Sequence, residues 1–162
     1  RLCSSAASDV YKRQIIESED VRAGLHLTTE LCLDKHDVVK SRHTLTNVKA
    51  GLYQVSRLAN TLPLPARANE LMTYYGRWVH EFQTVRQPLQ QGGYQQENRR
   101  GRTSHEHYPA MVVGTANFNE MAGDVWGIHF AWSGNHRLRA DVKADGRRYV
   151  QAEIIYLSLI HI

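Results

Sequence analysis

The sequence predicts an all-β, antiparallel β-sandwich on three observations. Apolar and polar residues alternate over short stretches instead of recurring at the helical period. Turn residues separate those stretches at regular intervals. Helical composition is confined to one short segment, too little for a mixed fold.

Each element follows in order. Leu25, Leu27, Leu31 and Leu33 share one parity with Thr29, while His26, Thr28, Glu30 and Cys32 take the other, which is the pattern of a half-buried strand. His36 to Val48 is rich in β-branched residues and reads as the next strand, closed by the Asn47 to Gly51 break. Tyr53 to Leu62 is a further strand, expected to stop at Pro63 and Pro65, since neither can donate to a sheet ladder. Ala66 to Met72 has helical propensity over about one turn. Tyr74 to Val85 returns to aromatic and β-branched composition, hence strand. Gln87 to Arg102 is polar and glycine-interrupted and reads as a long exposed excursion. Beyond it, Ala110 to Thr115 and Asp124 to Trp132 are strands around a turn at Asn117 to Gly123. Gly134 and Asn135 make another turn, Leu138 to Val142 alternates, Asp145 and Gly146 form a hairpin dipeptide, and Tyr149 to Tyr156 closes the series.

The ends read differently from the rest. Residues 4–14 (SSAASDVYKRQ) and 157–162 (LSLIHI) match translations of a sequencing adapter in its two orientations, and residues 1–3 go with the first. Three segments are therefore expected: 1–14 adapter-derived, 15–156 natural, and 157–162 adapter-derived. On this reading the natural part is cut at both ends and its true termini are missing.

The 162 residues fit one domain, with 42% hydrophobic residues for a core and 22% charged. Net charge is +4, and setting aside Arg1, Lys12 and Arg13 against Asp9 leaves +2. So small a balance gives no support to nucleic-acid or anionic-membrane partners. No apolar run reaches the length of a membrane span. Without Cys3 in its flank, Cys32 stands alone and reads as a small buried hydrophobe rather than part of a disulfide or metal framework.

Candidate chemistry is sparse. His105 and His107 in TSHEH would share one face of a strand, yet a metal site needs three or four ligands, and no matching cluster follows elsewhere in the sequence, so no metal or cofactor is expected. Loop or interface hydrogen bonds are the simpler role for these histidines. Glu81, Glu97, Glu106, Glu120 and Asp124 could supply the two carboxylates of a glycosidase, but spacing does not pair them, and solvated surface charges are the simpler reading. No nucleophile elbow, phosphate loop or dinucleotide fingerprint occurs. Arg99, Arg100 and Arg102 make a charge run suited to a solvated loop face or an interface. Trp78 and Trp132 either stack on a sugar or pack in the core, and the core is the default for each.

Several strings in fixed order carry a resemblance: NTLPLPARANELM, GRWVHEFQ, QENRRGRTSHEHYPA, GDVWGIHFAWSGNHRLR and DGRRYVQAE. Together they resemble the N-terminal domain of glycoside hydrolase family 36 α-galactosidases, over nearly the whole of 15–156. The resemblance implies a supersandwich of the galactose-mutarotase type, standing before a (β/α)₈ barrel and a small C-terminal β domain. The parent would be a retaining, cytoplasmic bacterial enzyme acting on α-galactosides such as melibiose and raffinose, with its own barrel as partner and a homo-tetramer as assembly. Both catalytic aspartates would lie in the barrel, and the family's lysine-tryptophan-aspartate motif is absent from this sequence. The chain alone is thus expected to be inactive, with no catalytic residue of its own. The Gly-x-Trp string assigns Trp78 to the wall of the galactose subsite and puts the QENRRGRTSHEH loop near the barrel or a neighbouring subunit. A free-standing carbohydrate-binding module is the alternative.

Overall fold

In a computed structural model the protein is all-β, with twelve strands and no helix among the described residues, which are the backbone of 3–7 and the whole of 12–155. The adapter-like residues 1–2, 8–11 and 157–162, and Tyr156, lie outside that range. The chain divides into two compact units, one ahead of Ser56 and one from Ser56 onward, so the single domain expected from length is built in two parts.

The first unit is one antiparallel sheet of β1 (Cys3–Ala7), β2 (Lys12–Asp20), β3 (Leu25–Leu33) and β4 (Val39–Asn47), in sequence order. The leucine alternation does produce β3, paired with Leu45 opposite Leu27 and His43 opposite Thr29. Thr29 Oγ1 and His43 Nδ1 are 2.8 Å apart. Every residue of β3 is half-buried, including Cys32, which was expected in a core. The fourth strand starts later than expected, at Val39, because Asp34 turns the chain: its Oδ1 accepts the N–H of His36 at 2.9 Å and of Val38 at 3.1 Å.

The second unit packs two antiparallel four-stranded sheets around one core. One has the order β10-β9-β6-β7, from β6 (Glu70–Arg77), β7 (His80–Pro88), β9 (Ala110–Gly114) and β10 (Val125–His129). The other has the order β5-β12-β11-β8, from β5 (Arg57–Leu64), β8 (Tyr94–Asn98), β11 (His136–Val142) and β12 (Arg148–Ile155). Leu71, Met111 and Val113 of the first meet Leu138, Ala140 and Val150 of the second in a single buried cluster, whose removal from water is the main force holding the sheets together.

Four expectations fail here for physical reasons. The strand expected to end at Leu62 runs through Pro63 to Leu64, because β5 is a sheet edge, where a missing N–H can be tolerated. Ala66 to Met72 forms no helix: Leu71 and Met72 pair with Val113 and Val112, and burying Leu71 outweighs a propensity of a few tenths of a kcal/mol per residue. Tyr74 to Val85 is a hairpin, not one strand. Much of the expected excursion at Gln87 to Arg102 is sheet, because Gln96 and Asn98 satisfy their buried amides on carbonyls, Gln96 Nε2 donating to Tyr108 O at 2.8 Å and Asn98 Nδ2 to Arg102 O at 2.6 Å. The true loop is residues 99–109.

Candidate functional site

The hairpin β6–β7 is built to carry its tip outward. Arg77 pairs with His80, and Tyr75 pairs with Gln83, so Glu81 and Phe82 together oppose the single residue Gly76, which is a β-bulge. A Cβ on Gly76 would lie 2.5 Å from the His80 carbonyl oxygen and 2.8 Å from Glu81 Cα, so no other residue admits this approach without backbone movement. The turn itself is Trp78 and Val79. Val79 has φ 69° and Phe82 φ 53°, both in the left-handed region that branched and bulky residues avoid. The Val79 N–H donates to Glu81 Oε1 at 2.9 Å. Two backbone N–H groups, its own and that of Val79, hold the Glu81 carboxyl below the usual carboxylate range, helped by the charges of His105 and His80.

Trp78 stands at this tip, 77% exposed, so the default core reading fails for it. It fails for Trp132 too, which is 41% exposed; its indole lies across Gly134 and donates to Asn135 O at 3.2 Å. Trp126 is the tryptophan that packs on the core, with the Arg67 guanidinium 5.1 Å above its ring.

An open groove of about 400 Å³ runs between the hairpin and the loop 99–109. Tyr74, Tyr75, Glu81 and Phe82 line its hairpin side, and Arg100, Arg102, Ser104, His105 and Tyr108 its loop side. Tyr74, Phe82 and Tyr108 pack edge to face, with centroids 4.8–6.2 Å apart, and fix the groove floor. The loop is tied down at its base: Thr103 N donates to Ser133 O at 2.6 Å and Gly101 N to Asn135 Oδ1 at 2.6 Å. Two motifs far apart in the sequence, GRWVHEF and RRGRTSHEHY, therefore face each other.

The remaining candidates do not converge on one site. His105 and His107 are in the loop and not in a strand; His105 lines the groove while His107 lies near His136. Burial pushes the His136 imidazole below the ordinary histidine value, against the carbonyl of Gly134, which favours its charged form. Asp124 takes Arg67 at 2.7 Å, and Glu106 takes Arg100 Nε at 2.7 Å. Glu97 is not a solvated charge: it takes Arg99 at 2.6 Å and also Arg137, which in turn reaches the buried Glu153 at 3.5 Å. Sequence reasoning missed Arg137 and Glu153; they occupy directly paired positions on β11 and β12, a contact visible only once register is known.

The glycosyl hydrolase family 36 N-terminal domain profile matches residues 3–154. The chain belongs to this family. Its sequence is 51% identical over 142 residues to an α-galactosidase of Escherichia coli, covering 88% of this chain and 20% of that protein. It is 28% identical over 138 residues to α-galactosidase AgaA of Geobacillus stearothermophilus, covering 83% of this chain and 19% of the relative. Among solved structures, an AgaA variant in complex with raffinose superposes with TM-score 0.75 at 23% identity, over 94% of this chain and 22% of that one. The galactosidase domain of the α-galactosidase-sucrose kinase AgaSK superposes with TM-score 0.73 at 21% identity, over 92% of this chain and 21% of that one. The family 36 N-terminal domain thus spans about a fifth of the relatives it matches, and the antiparallel all-β architecture is shared with their structures.

Proposed function

We propose that this domain is the accessory part of a retaining α-galactosidase, bracing the catalytic barrel and lending Trp78 to the galactose subsite. The observation that carries the reading is the exposed Trp78 at the end of a hairpin whose two-residue turn holds Val79 in the left-handed region. An indole face offered to solvent suits the apolar C–H side of a galactose ring. A wall of that kind would fix the sugar for barrel carboxylates that displace the leaving group twice, through a covalent intermediate. Melibiose- and raffinose-type oligosaccharides are the proposed substrates, and a homo-tetramer the proposed assembly.

Replacing Trp78 by alanine in the full-length enzyme tests this. Expected is a fall in kcat/KM on melibiose of about 10- to 100-fold, or about 1.4–2.7 kcal/mol, with phenylalanine recovering part of it. A change within about twofold overturns the wall. Galactose binding by the 162-residue chain alone, abolished by Trp78→Ala, favours a free-standing carbohydrate-binding module instead. Release of an aryl group from an α-galactoside by that chain would contradict its inactivity. The natural stretch is proposed to be 15–156. The 142 residues aligned with the Escherichia coli relative equal that stretch in length, while the family profile reaches further back, to residue 3. Resequencing the locus across both ends decides between them.

A further inference from the structure

The tip that carries Trp78 does not hold itself. Val79 is β-branched and left-handed, a conformation that persists only where its surroundings over-determine it. The Val79 N–H lies in the turn and has no ladder partner across the hairpin; its acceptor is Glu81 Oε1, at 2.9 Å. The bulge opposite Gly76 is what brings Glu81 back over the turn, since the backbone of His80 and Glu81 occupies the space a Cβ would take. Glu81 also lines the groove, on the side facing His105.

We propose that Glu81 is a positioning residue for Trp78: by accepting the Val79 N–H, its carboxylate locks the two-residue turn and so sets the direction of the indole. The inference rests on the reading of Trp78 as a sugar wall only for its effect on activity; the local effect stands apart from it. Glu81 touches no substrate in this role. A glutamine side chain at this position would keep an acceptor oxygen in place, whereas alanine would remove it, so Glu81→Gln and Glu81→Ala separate hydrogen bonding from mere presence of a side chain.

The first measurement uses the 162-residue chain, with Val79 amide hydrogen exchange and the Trp78 indole resonance as readouts. Glu81→Ala is expected to speed Val79 exchange about fivefold to tenfold and to change the Trp78 indole resonance, while Glu81→Gln stays near the original. Unchanged Val79 exchange and an unchanged indole shift in Glu81→Ala overturn the proposal. The second measurement is a double-mutant cycle in the full-length enzyme. If Glu81 acts through Trp78, Glu81→Ala lowers kcat/KM about fivefold alone, but adds nothing to Trp78→Ala, and Glu81→Gln restores most of the loss. Fully additive losses overturn it. Should Trp78→Ala leave kcat/KM unchanged, the sugar-wall reading fails, and Glu81 is then judged on exchange and indole shift alone.

Discussion

Two hairpins of the second unit solve the same problem in opposite ways. Between β11 and β12 the loop is residues 143–147, closed by Gly146 N to Lys143 O at 2.9 Å and Lys143 N to Arg147 O at 2.8 Å. Its left-handed position, φ 83°, is given to glycine, and the Asp145 carboxylate caps Arg147 N at 3.1 Å. In the β6–β7 hairpin the left-handed positions go to Val79 in the turn and Phe82 in β7, and glycine is placed instead opposite the bulge, at Gly76. The first hairpin is relaxed and ends in polar residues; the second is strained and ends in an exposed indole. Strain and apolar exposure fall together at one turn, the combination on which the proposed role of Trp78 rests.

The largest expected effect comes from breaking the bulge. Gly76→Ala forces a Cβ to within 2.5 Å of backbone, which cannot swing aside as the end of a flexible side chain could. The 162-residue chain should lose about 2–3 kcal/mol in urea denaturation, more than any other change of this size at either hairpin. A loss under about 0.5 kcal/mol would mean that the bulge relaxes freely and that the second hairpin is not strained.

The same contrast explains what could be read in advance. Asp145-Gly146 obeys a local rule, so its hairpin was legible from two residues. Gly-Arg-Trp-Val-His contains no turn dipeptide, its φ > 0 falls on valine, and the hairpin therefore reads as one strand; the glycine signals a bulge, but only its partner strand reveals that. The continuation of β5 through Pro63 and the polar strand Tyr94–Asn98 were missed for a related reason: what decides both is place in the sheet, the open edge for the proline and pairing with β11 for the glutamines. Alternation in β11 survived because a buried face imposes its period directly, with His136, Leu138 and Ala140 buried and Arg137 and Arg139 half-buried between them. Trp78 was picked out by family resemblance; its exposure needed the fold.

Smaller changes at the left-handed positions should move in opposite directions. A Cβ at Gly146 meets nothing within 4 Å, so the cost of Gly146→Ala is conformational alone, about 1 kcal/mol of stability with no change in activity of the full-length enzyme. Val79→Gly removes strain while loosening the unfolded chain, and the two nearly cancel, leaving stability within about 0.5 kcal/mol. The full-length enzyme should nonetheless lose kcat/KM, because a freer tip holds Trp78 less well. Urea midpoints and kinetics on the pair check this, and a Val79→Gly enzyme that keeps full activity would remove the functional meaning of the strain.

Acid provides the mildest way to separate the two turns, since each is capped by a carboxylate whose value is lowered in the fold. For Asp145 the main cause is the Arg147 side chain and then its N–H; for Glu81 it is backbone N–H groups, with His105 and His80 adding to them. A lowered carboxylate contributes order that is complete above its ordinary value, 3.8 for aspartate and 4.5 for glutamate, and is lost as pH falls through the lower folded value. Protonation thus weakens both caps in the same acid range, but the consequences differ. Gly146 keeps its left-handed turn without help, whereas Val79 depends on Glu81 to favour it. Between about pH 6 and about pH 3, amide shifts at Gly146 should stay nearly fixed, while that of Val79 moves as its acceptor changes from a carboxylate to a carboxyl oxygen and the cap weakens without being lost, as in Glu81→Gln. Equal movement at the two sites would show that the carboxylate at Glu81 does no more for its turn than Asp145 does for a turn that glycine already secures.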